Sequence, residues 1–361
     1  MTDLSARPLL SSAPRRSVLA GLAAAFLLFA GATAPALALS PDIPTRTITD
    51  SSGRTVEIPQ HVGRVFTAGP PAAVLLYALK PEAMTGWVRP PRAEDLPFLL
   101  ESVRSLPELG RLTGRGDTVN LEVLLAAKPD IILDFGTISD TYRSLADRVQ
   151  EQTGIPYLLI DGSFANTPAA LRLVGEIVGA EEQAERLAAY AERTFATVDA
   201  VLAKVPEDKR PHVYLARGPE GLETGTRGSI TTEIIERAGG INVVGQSGGG
   251  LANVSLEQVI AWAPDTIVTL GKAFAGNAAK APEWQAVPAV ASDRIFRAPD
   301  QPFGFIDSPP SLNRLIGLHW LLHVFYPDAA TGDLKDEVRS FYSLFYHREP
   351  GDAELDQLLG G

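Results

Sequence analysis

One helix-to-strand unit is written twice in this chain. Val119-Asn120-Leu121-Glu122-Val123-Leu124-Leu125-Ala126-Ala127-Lys128-Pro129-Asp130-Ile131-Ile132-Leu133 reads as a polar cap, Leu-Glu, an apolar helix, a Pro-Asp turn and a buried strand. Val254-Ser255-Leu256-Glu257-Gln258-Val259-Ile260-Ala261-Trp262-Ala263-Pro264-Asp265-Thr266-Ile267-Val268 reads the same way. A unit repeated so far apart implies two similar halves. Between the copies, residues from Thr167 to about Lys204 carry no strand signal and are interrupted by Gly179. Beyond that break Leu187, Ala191, Phe195, Val198 and Leu202 recur at helical spacing among charged residues. Glu181 to Lys204 predicts a helix about 36 Å long at ~1.5 Å per residue, stopped by Pro206 and Pro211.

On either side of this rod, strand-like and helix-like runs alternate. A hairpin is expected where Thr47 to Asp50 and Arg54 to Ile58 flank Ser51-Ser52-Gly53. Strands are expected at Arg64 to Thr67, Ala83 to Val88, Asp130 to Phe135 and Tyr157 to Ile160, with helices at Pro71 to Leu79, Asn120 to Ala127 and Ser139 to Gln152. After the rod come strands at His212 to Ala216, Asp265 to Leu270 and Arg294 to Arg297. Helices follow at Ser229 to Ala238, Ser255 to Trp262, Ser311 to Phe325 and Asp333 to Phe345. Alternation of this kind builds βα units around parallel sheets. The expected fold class is α/β: two three-layer lobes joined by a single long helix, with a ligand cleft between them. The length of 361 residues, more than one core usually needs, agrees. The expected divisions are an N-terminal lobe over 39–166, a linking segment over 167–206 and a C-terminal lobe over 207–361.

The first residues read as an address. Arg15-Arg16 precede an apolar run from Val18 to Ala30, then Gly31 and small residues up to Ala36-Leu37-Ala38. That order predicts a secretory signal peptide over residues 1–38, cleaved after Ala38. The run falls short of the ~20 residues that span a bilayer. Pro14-Arg15-Arg16-Ser17-Val18-Leu19 resembles a Tat export signal, with Val18 where such signals often carry Phe, and Tat is favoured over Sec. The chain has no cysteine, which excludes disulfides, thiolate metal sites and cysteine nucleophiles. It also lacks the residue that a bacterial lipoprotein acylates, so an unanchored protein held in the bacterial periplasm is expected. The formal net charge of -11 argues against a nucleic-acid partner, which needs a basic face.

With these features in this order, the chain resembles the helical-backbone (class III) periplasmic substrate-binding proteins of ABC importers, which receive ferric siderophores, haem, cobalamin and some metal ions or oxyanions. The resemblance rests on Asp50-Ser51-Ser52-Gly53-Arg54, Asn120-Leu121-Glu122…Lys128-Pro129-Asp130 and the long helix. Ser255-Leu256-Glu257…Pro264-Asp265 and Asp307-Ser308-Pro309-Pro310-Ser311 complete it. It implies a monomeric receptor without a cofactor that delivers its cargo to a membrane permease and does no covalent chemistry. It also implies that Glu122 and Glu257 dock against permease arginines. Each Glu lies in a first helical turn, where the helix dipole favours an anion, and two anions on separate lobes fix orientation and speed encounter.

Ligands of open α/β sheets bind beyond the carboxyl ends of the strands. Loops expected there supply Pro70, Trp87, Arg89, Arg217, Lys272, Phe303 and Phe305, and Arg314 stands in the helix that follows. Guanidinium forks suit carboxylate, catecholate or oxyanion groups, and the aromatic rings suit an apolar ligand skeleton. Arg89 and Phe305 lead that set. Of five histidines, His319 and His323 have a chelating spacing but sit in a half-apolar helix, so no metal ligands are assigned. A metal is expected to arrive inside a chelator, an iron complex being favoured because the resemblance covers mostly such receptors. Molybdate or tungstate, cobalamin and haem are the alternatives. A competing hydrolase reading rests on Gly245-Gln246-Ser247-Gly248-Gly249, but loop-forming residues follow where a nucleophile elbow needs a helix. The adhesion-like triplet Arg115-Gly116-Asp117 is read as chance.

Overall fold

The structure, a computed structural model, describes residues 44–114, 120–245, 250–278 and 281–360. The expected leader over 1–38, the Arg115-Gly116-Asp117 triplet and Ser247 lie outside the described residues.

An antiparallel hairpin of β1 (Thr45–Thr49) and β2 (Thr55–Pro59) opens the first half. Asp50 closes its turn: Oδ1 accepts from the backbone N–H groups of Ser52 and Arg54, and Oδ2 accepts from that of Leu159. Next come β3 (Val65–Thr67), α1 (Pro70–Leu79), α2 (Glu101–Arg104), α3 (Leu121–Ala127), β4 (Ile131–Gly136), α4 (Asp140–Thr153) and β5 (Tyr157–Asp161). The strands form a parallel sheet ordered β3-β4-β5. Its two faces sort by the strand's period of two. Ile131, Leu133 and Phe135 share a core with Leu75 of α1 and with Leu171 of α5 (Thr167–Val178), whereas Ile132 packs with Leu124 of α3 and Val149 of α4.

The expected strand from Ala83 to Val88 does not form. Pro81 opens a 3-10 turn over Pro81–Ala83, and only single parallel bridges join Met84 to Val65 and Trp87 to Glu108. At Gly86 the backbone passes so close to Pro107 that a Cβ would stand 2.6 Å from its carbonyl oxygen. The segment therefore wedges between neighbours rather than running along the sheet.

Gly179 ends α5 in the left-handed conformation, and α6 (Glu181–Leu202) follows as a helix of 22 residues, about 33 Å long. Near its start, Gln183 Nε2 donates to the carbonyls of Ala78 and Leu344. Near its end, Asp199 pairs with Arg237 at 2.7 Å. One helix thus touches α1 of the first half and an arginine of the second.

The second half contains β6 (His212–Ala216), β7 (Glu223–Gly225), α7 (Glu233–Arg237), β8 (Ile241–Asn242), β9 (Leu251–Asn253), α8 (Leu256–Trp262) and β10 (Thr266–Thr269). It continues with α9 (Lys272–Ala278), α10 (Pro288–Ala291), β11 (Ile295–Arg297), α11 (Arg314–Phe325), α12 (Leu334–Phe345) and α13 (Asp352–Leu359). The parallel sheet runs β11-β10-β6-β8, and β7 pairs antiparallel with β9. The expected helix over Ser229 to Ala238 shrinks to five residues, because the Ser229 and Thr232 hydroxyls bond each other and Thr232 bonds the Thr226 carbonyl. Such local side-chain bonds compete with helix formation.

The repeated unit is the same device in both halves. α3 and α8 each have seven residues, capped by Asn120 and Ser255 and ended by a left-handed residue, Lys128 or Ala263. The next Asp ties down a neighbouring strand: Asp130 Oδ2 accepts from the N–H groups of Gly63 and Arg64, and Asp265 Oδ2 from that of His212. Each unit thereby delivers a strand to an interior position of its own parallel sheet. The two sheets also share one core: Leu133, Leu171, Leu187, Leu215, Ile234, Leu315 and Phe341 belong to a single packed cluster.

Candidate functional site

A cavity of about 920 Å³ lies where the carboxyl ends of both sheets meet. Backbone geometry puts it there: the chain just after β3 brings Pro70, the end of β4 and the residue after it bring Asp134 to Thr137, and the loops after β6 and β10 bring Arg217 and Leu270. Pro70-Pro71, Pro90-Pro91, Pro299, Pro302 and Pro309-Pro310 all line it. Proline has no N–H and a fixed φ, so these walls are stiff, largely apolar and poor in backbone donors.

Five of the residues singled out from sequence meet on this wall: Pro70, Trp87, Arg89, Arg217 and Phe303. Trp87 is buried and anchored by its Nε1, which donates to the Val103 carbonyl at 2.7 Å. Its ring lies 6.1 Å from that of Phe303, so one aromatic from each half meets at the cleft. Arg89 is exposed and makes no ion pair or hydrogen bond among the described residues. Arg217 is already neutralised by Glu223 at 3.0 Å and by a close pair with Asp307.

Three of the singled-out residues stand elsewhere. Helix α9 begins at Lys272 itself, which joins Arg297 and Gln357 on a neighbouring cavity of about 410 Å³ that shares Arg92 and Asp300 with the first. Phe305 is wholly buried in the shared core; its carbonyl presses on Gly317, where a Cβ would stand 2.0 Å away. Arg314 is 1% exposed and points inward to Glu233 and to the carbonyl of Gly162. Packing against the second half seals both residues from the cleft. His319 and His323 also face packing contacts, with Thr194 at 3.2 Å and the His319 carbonyl at 2.8 Å respectively.

The cleft holds groups that the sequence did not single out. Arg92 Nε bonds Asp95 at 2.7 Å, and its Nη1 reaches Asp300 of the second half at 3.3 Å, so it bridges the two walls. Gln301 Nε2 adds a bond to the Glu94 carbonyl at 3.3 Å. Burial is the main cause that raises the Asp95 carboxyl above its usual range, opposed by Arg92. On the floor, Asp134 accepts hydrogen bonds from Thr113 Oγ1 at 3.2 Å and from the Tyr157 hydroxyl at 3.0 Å. Burial pushes its carboxyl up to about 6. A carboxylate inside the run Ile131-Ile132-Leu133-Asp134-Phe135, near a strand's carboxyl end, was the available signal for this residue.

Glu122 and Glu257 are both exposed, in the first turns of α3 and α8 on different halves. The Ser255 hydroxyl holds the Glu257 carboxyl below its usual range and keeps it charged.

A model of the periplasmic binding protein family matches residues 90–302, more than half of the sequence. The chain belongs to that family. The molybdate-binding protein MolA of Haemophilus influenzae is 27% identical over 332 residues, covering 83% of this chain and 91% of the relative. A vitamin B12-binding protein of Salmonella choleraesuis is 28% identical over 158 residues, 43% of this chain and 56% of the relative. The solved structure of an ABC transporter solute binding protein from Sulfurospirillum deleyianum superposes with a TM-score of 0.80 at 30% identity, covering 88% of this chain and 99% of that one. The chain is therefore a periplasmic binding protein of the kind that serves ABC importers, and not an enzyme. The two-lobe α/β architecture expected from its repeats is the fold of these relatives.

Proposed function

We propose that this periplasmic binding protein captures a metal chelate with an organic skeleton, an iron complex of the ferric siderophore kind, and hands it to an ABC-importer permease. The size and lining of the cleft carry this reading. A volume of about 920 Å³ lies at the upper end of the ~300–1,000 Å³ typical of small-molecule sites. Paired prolines with Trp87 and Phe303 offer apolar surface to a carbon skeleton, and Arg89, unpaired among the described residues, offers a guanidinium to its oxygen atoms. A bare oxyanion would fill one corner of that space and leave the apolar walls facing water. Similarity to a vitamin B12-binding protein, whose cargo is itself a large metal complex, supports the same reading.

A second reading, a molybdate or tungstate receptor, is favoured by the similarity to MolA over most of both chains. In either case Glu122 and Glu257 are the proposed contacts to the permease, residues 1–38 the proposed export signal, and the unlipidated protein acts as a monomer in the periplasm. Native mass spectrometry with elemental analysis, on protein isolated from the periplasm, tests the choice. Iron with an organic ligand is expected; molybdenum or tungsten without an organic mass would overturn the chelate reading.

A further inference from the structure

The charged groups of the cleft are unequally partnered. Asp95 and Asp300 are paired with Arg92, Asp300 also with Arg297, and Asp307 with Arg217. Among the described residues no cation bonds Asp134. Its carboxylate is held by two neutral hydroxyls, Thr113 and Tyr157, and by the backbone N–H of Phe135. A carboxylate offers about four acceptor places; these three bonds leave about one of them, and Asp134 lines the cavity. The cradle is rigid: Thr113 Oγ1 lies so near the main chain that a Cβ on Gly69 would approach it to 2.8 Å. Glu108, on the same wall, is exposed and likewise forms no ion pair among the described residues.

We propose that Asp134 is a specificity-determining residue, which receives a cationic or hydrogen-bond-donating group of the ligand and turns away bare oxyanions. The inference rests on the reading of this cleft as the ligand site. A donor brought to the fourth acceptor place supplies the positive partner that the protein withholds, and charge-assisted bonds of this sort are the strong ones. An oxyanion seated on the same floor meets a like charge in a poorly solvated place, where repulsion is least screened. Arg89 at the rim then takes the opposite end of the ligand, so the cleft selects a chelate bearing both kinds of group. Among the described residues, the ionisable groups around Asp134 bring it no bonded cation. Tyr157 on β5 and Tyr142 on α4 are phenols, Arg54, which acts on Tyr157 from the hairpin, is taken up by Asp50 and Asp147, and Arg111, on the same cavity wall, is not among the groups that hold the Asp134 carboxylate.

Isothermal titration of the purified protein with three probes tests this: ferrioxamine B, with its pendant ammonium; the same chelate N-acetylated; and molybdate. At pH 7.5 the wild type should prefer the ammonium form to the acetylated form by about tenfold or more. At pH 5, where the carboxyl is protonated, most of that tenfold preference should be gone. Asp134→Asn should bring the ratio of the two ferrioxamine affinities near one at both pH values and should strengthen molybdate binding. Should that variant fail to fold, the pH dependence of the wild-type ratio decides alone. Equal affinities in the wild type at pH 7.5, or a preference that survives Asp134→Asn, would overturn the proposal. Tight molybdate binding with weak ferrioxamine binding would overturn it too, yet leave the cleft as the ligand site. Failure of all three probes to bind would remove the cleft reading itself, and this inference with it.

Discussion

Glu233→Gln should destabilise the protein far more than a surface substitution, because it strands a buried charge. Arg314 is 1% exposed, and its guanidinium pairs closely with Glu233. It also donates to the carbonyls of Ser311, Ile230 and Gly162, and its Cζ lies 4.7 Å over the Phe164 ring. Glu233 returns a bond to the first half by accepting from the N–H of Phe164 at 3.1 Å. An arginine cannot escape by losing its proton. Breaking one side of a buried pair costs about 3–5 kcal/mol. The Glu233 side chain keeps 25% of its exposure and the carbonyls stay in place, so the low end applies: about 3 kcal/mol, over roughly a hundredfold in the folded-to-unfolded ratio. Urea unfolding followed by circular dichroism measures it. Adding Arg314→Met to Glu233→Gln removes the stranded charge and should recover most of the loss, since apolar replacement of a buried pair is often neutral or stabilising. A single variant within about 0.5 kcal/mol of wild type, or a double variant less stable than the single, would refute the reasoning.

Four further outcomes are expected. Arg89→Ala should weaken binding of a ligand with anionic oxygens by about 1.5–3 kcal/mol, the range for losing a charge-assisted bond, and unchanged affinity by calorimetry would remove Arg89 from the site. Glu122→Lys with Glu257→Lys should abolish transport in a whole-cell uptake assay while ligand affinity in solution is kept; full uptake would dismiss both docking contacts. The Arg92–Asp300 pair is 48% and 37% exposed and so is worth about 0–1 kcal/mol. Arg92→Ala should therefore widen the ligand-free cleft only modestly, seen as a small rise in radius of gyration by X-ray scattering, and no change would mean that the pair does not bias closure. The Asp134 carboxyl, raised from 3.8 to about 6, holds its proton more tightly folded than unfolded. Its contribution to stability is therefore present below pH 4 and lost as pH rises through 6, a change of at most about 3 kcal/mol. In a pH series of urea melts Asp134→Asn should flatten that slope, and an unaltered slope would contradict the assignment.

What the sequence disclosed and what it hid follow from the range of the forces involved. The α3 and α8 units were legible because cap, apolar stripe, Pro-Asp turn and strand are all local, and Asn120 and Ser255 cap where their spacing says. The long helix was legible for the same reason and ends within two residues of expectation, at Leu202. The Ala83 to Val88 strand failed because its neighbour is Pro107, a tertiary contact with no trace in its own residues. At the cleft, position beyond a strand end identified Pro70 and Arg217 as wall residues, whereas Trp87 and Arg89 line the wall although the strand expected before them does not form. Depth was not readable: Phe305 and Arg314 lie inside because α11 packs on the Phe305 backbone at Gly317. Arg92 escaped notice because its partner Asp300 comes from the other half of the chain.

The placement of the buried pair also bears on how the cleft works. Leu133 of one sheet and Leu215 of the other belong to one core, with α6 running through it. Large opening would have to tear that core, exposing apolar surface at ~25 cal/mol per Å². Small displacement need only disturb what lies at the cleft itself: the exposed Arg92–Asp300 bridge and the Trp87–Phe303 contact. Behind these, Ile230 sits on the cleft wall while its carbonyl binds Arg314, which in turn holds Gly162 and overlies Phe164 of the opposite half. A ligand pressing on Ile230 is thus one hydrogen bond from the joint between the lobes. On the proposal that Glu122 and Glu257 are the permease contacts, a rigid-body step on ligand binding would alter their spacing, and occupancy would be signalled by a change in distance between two charges.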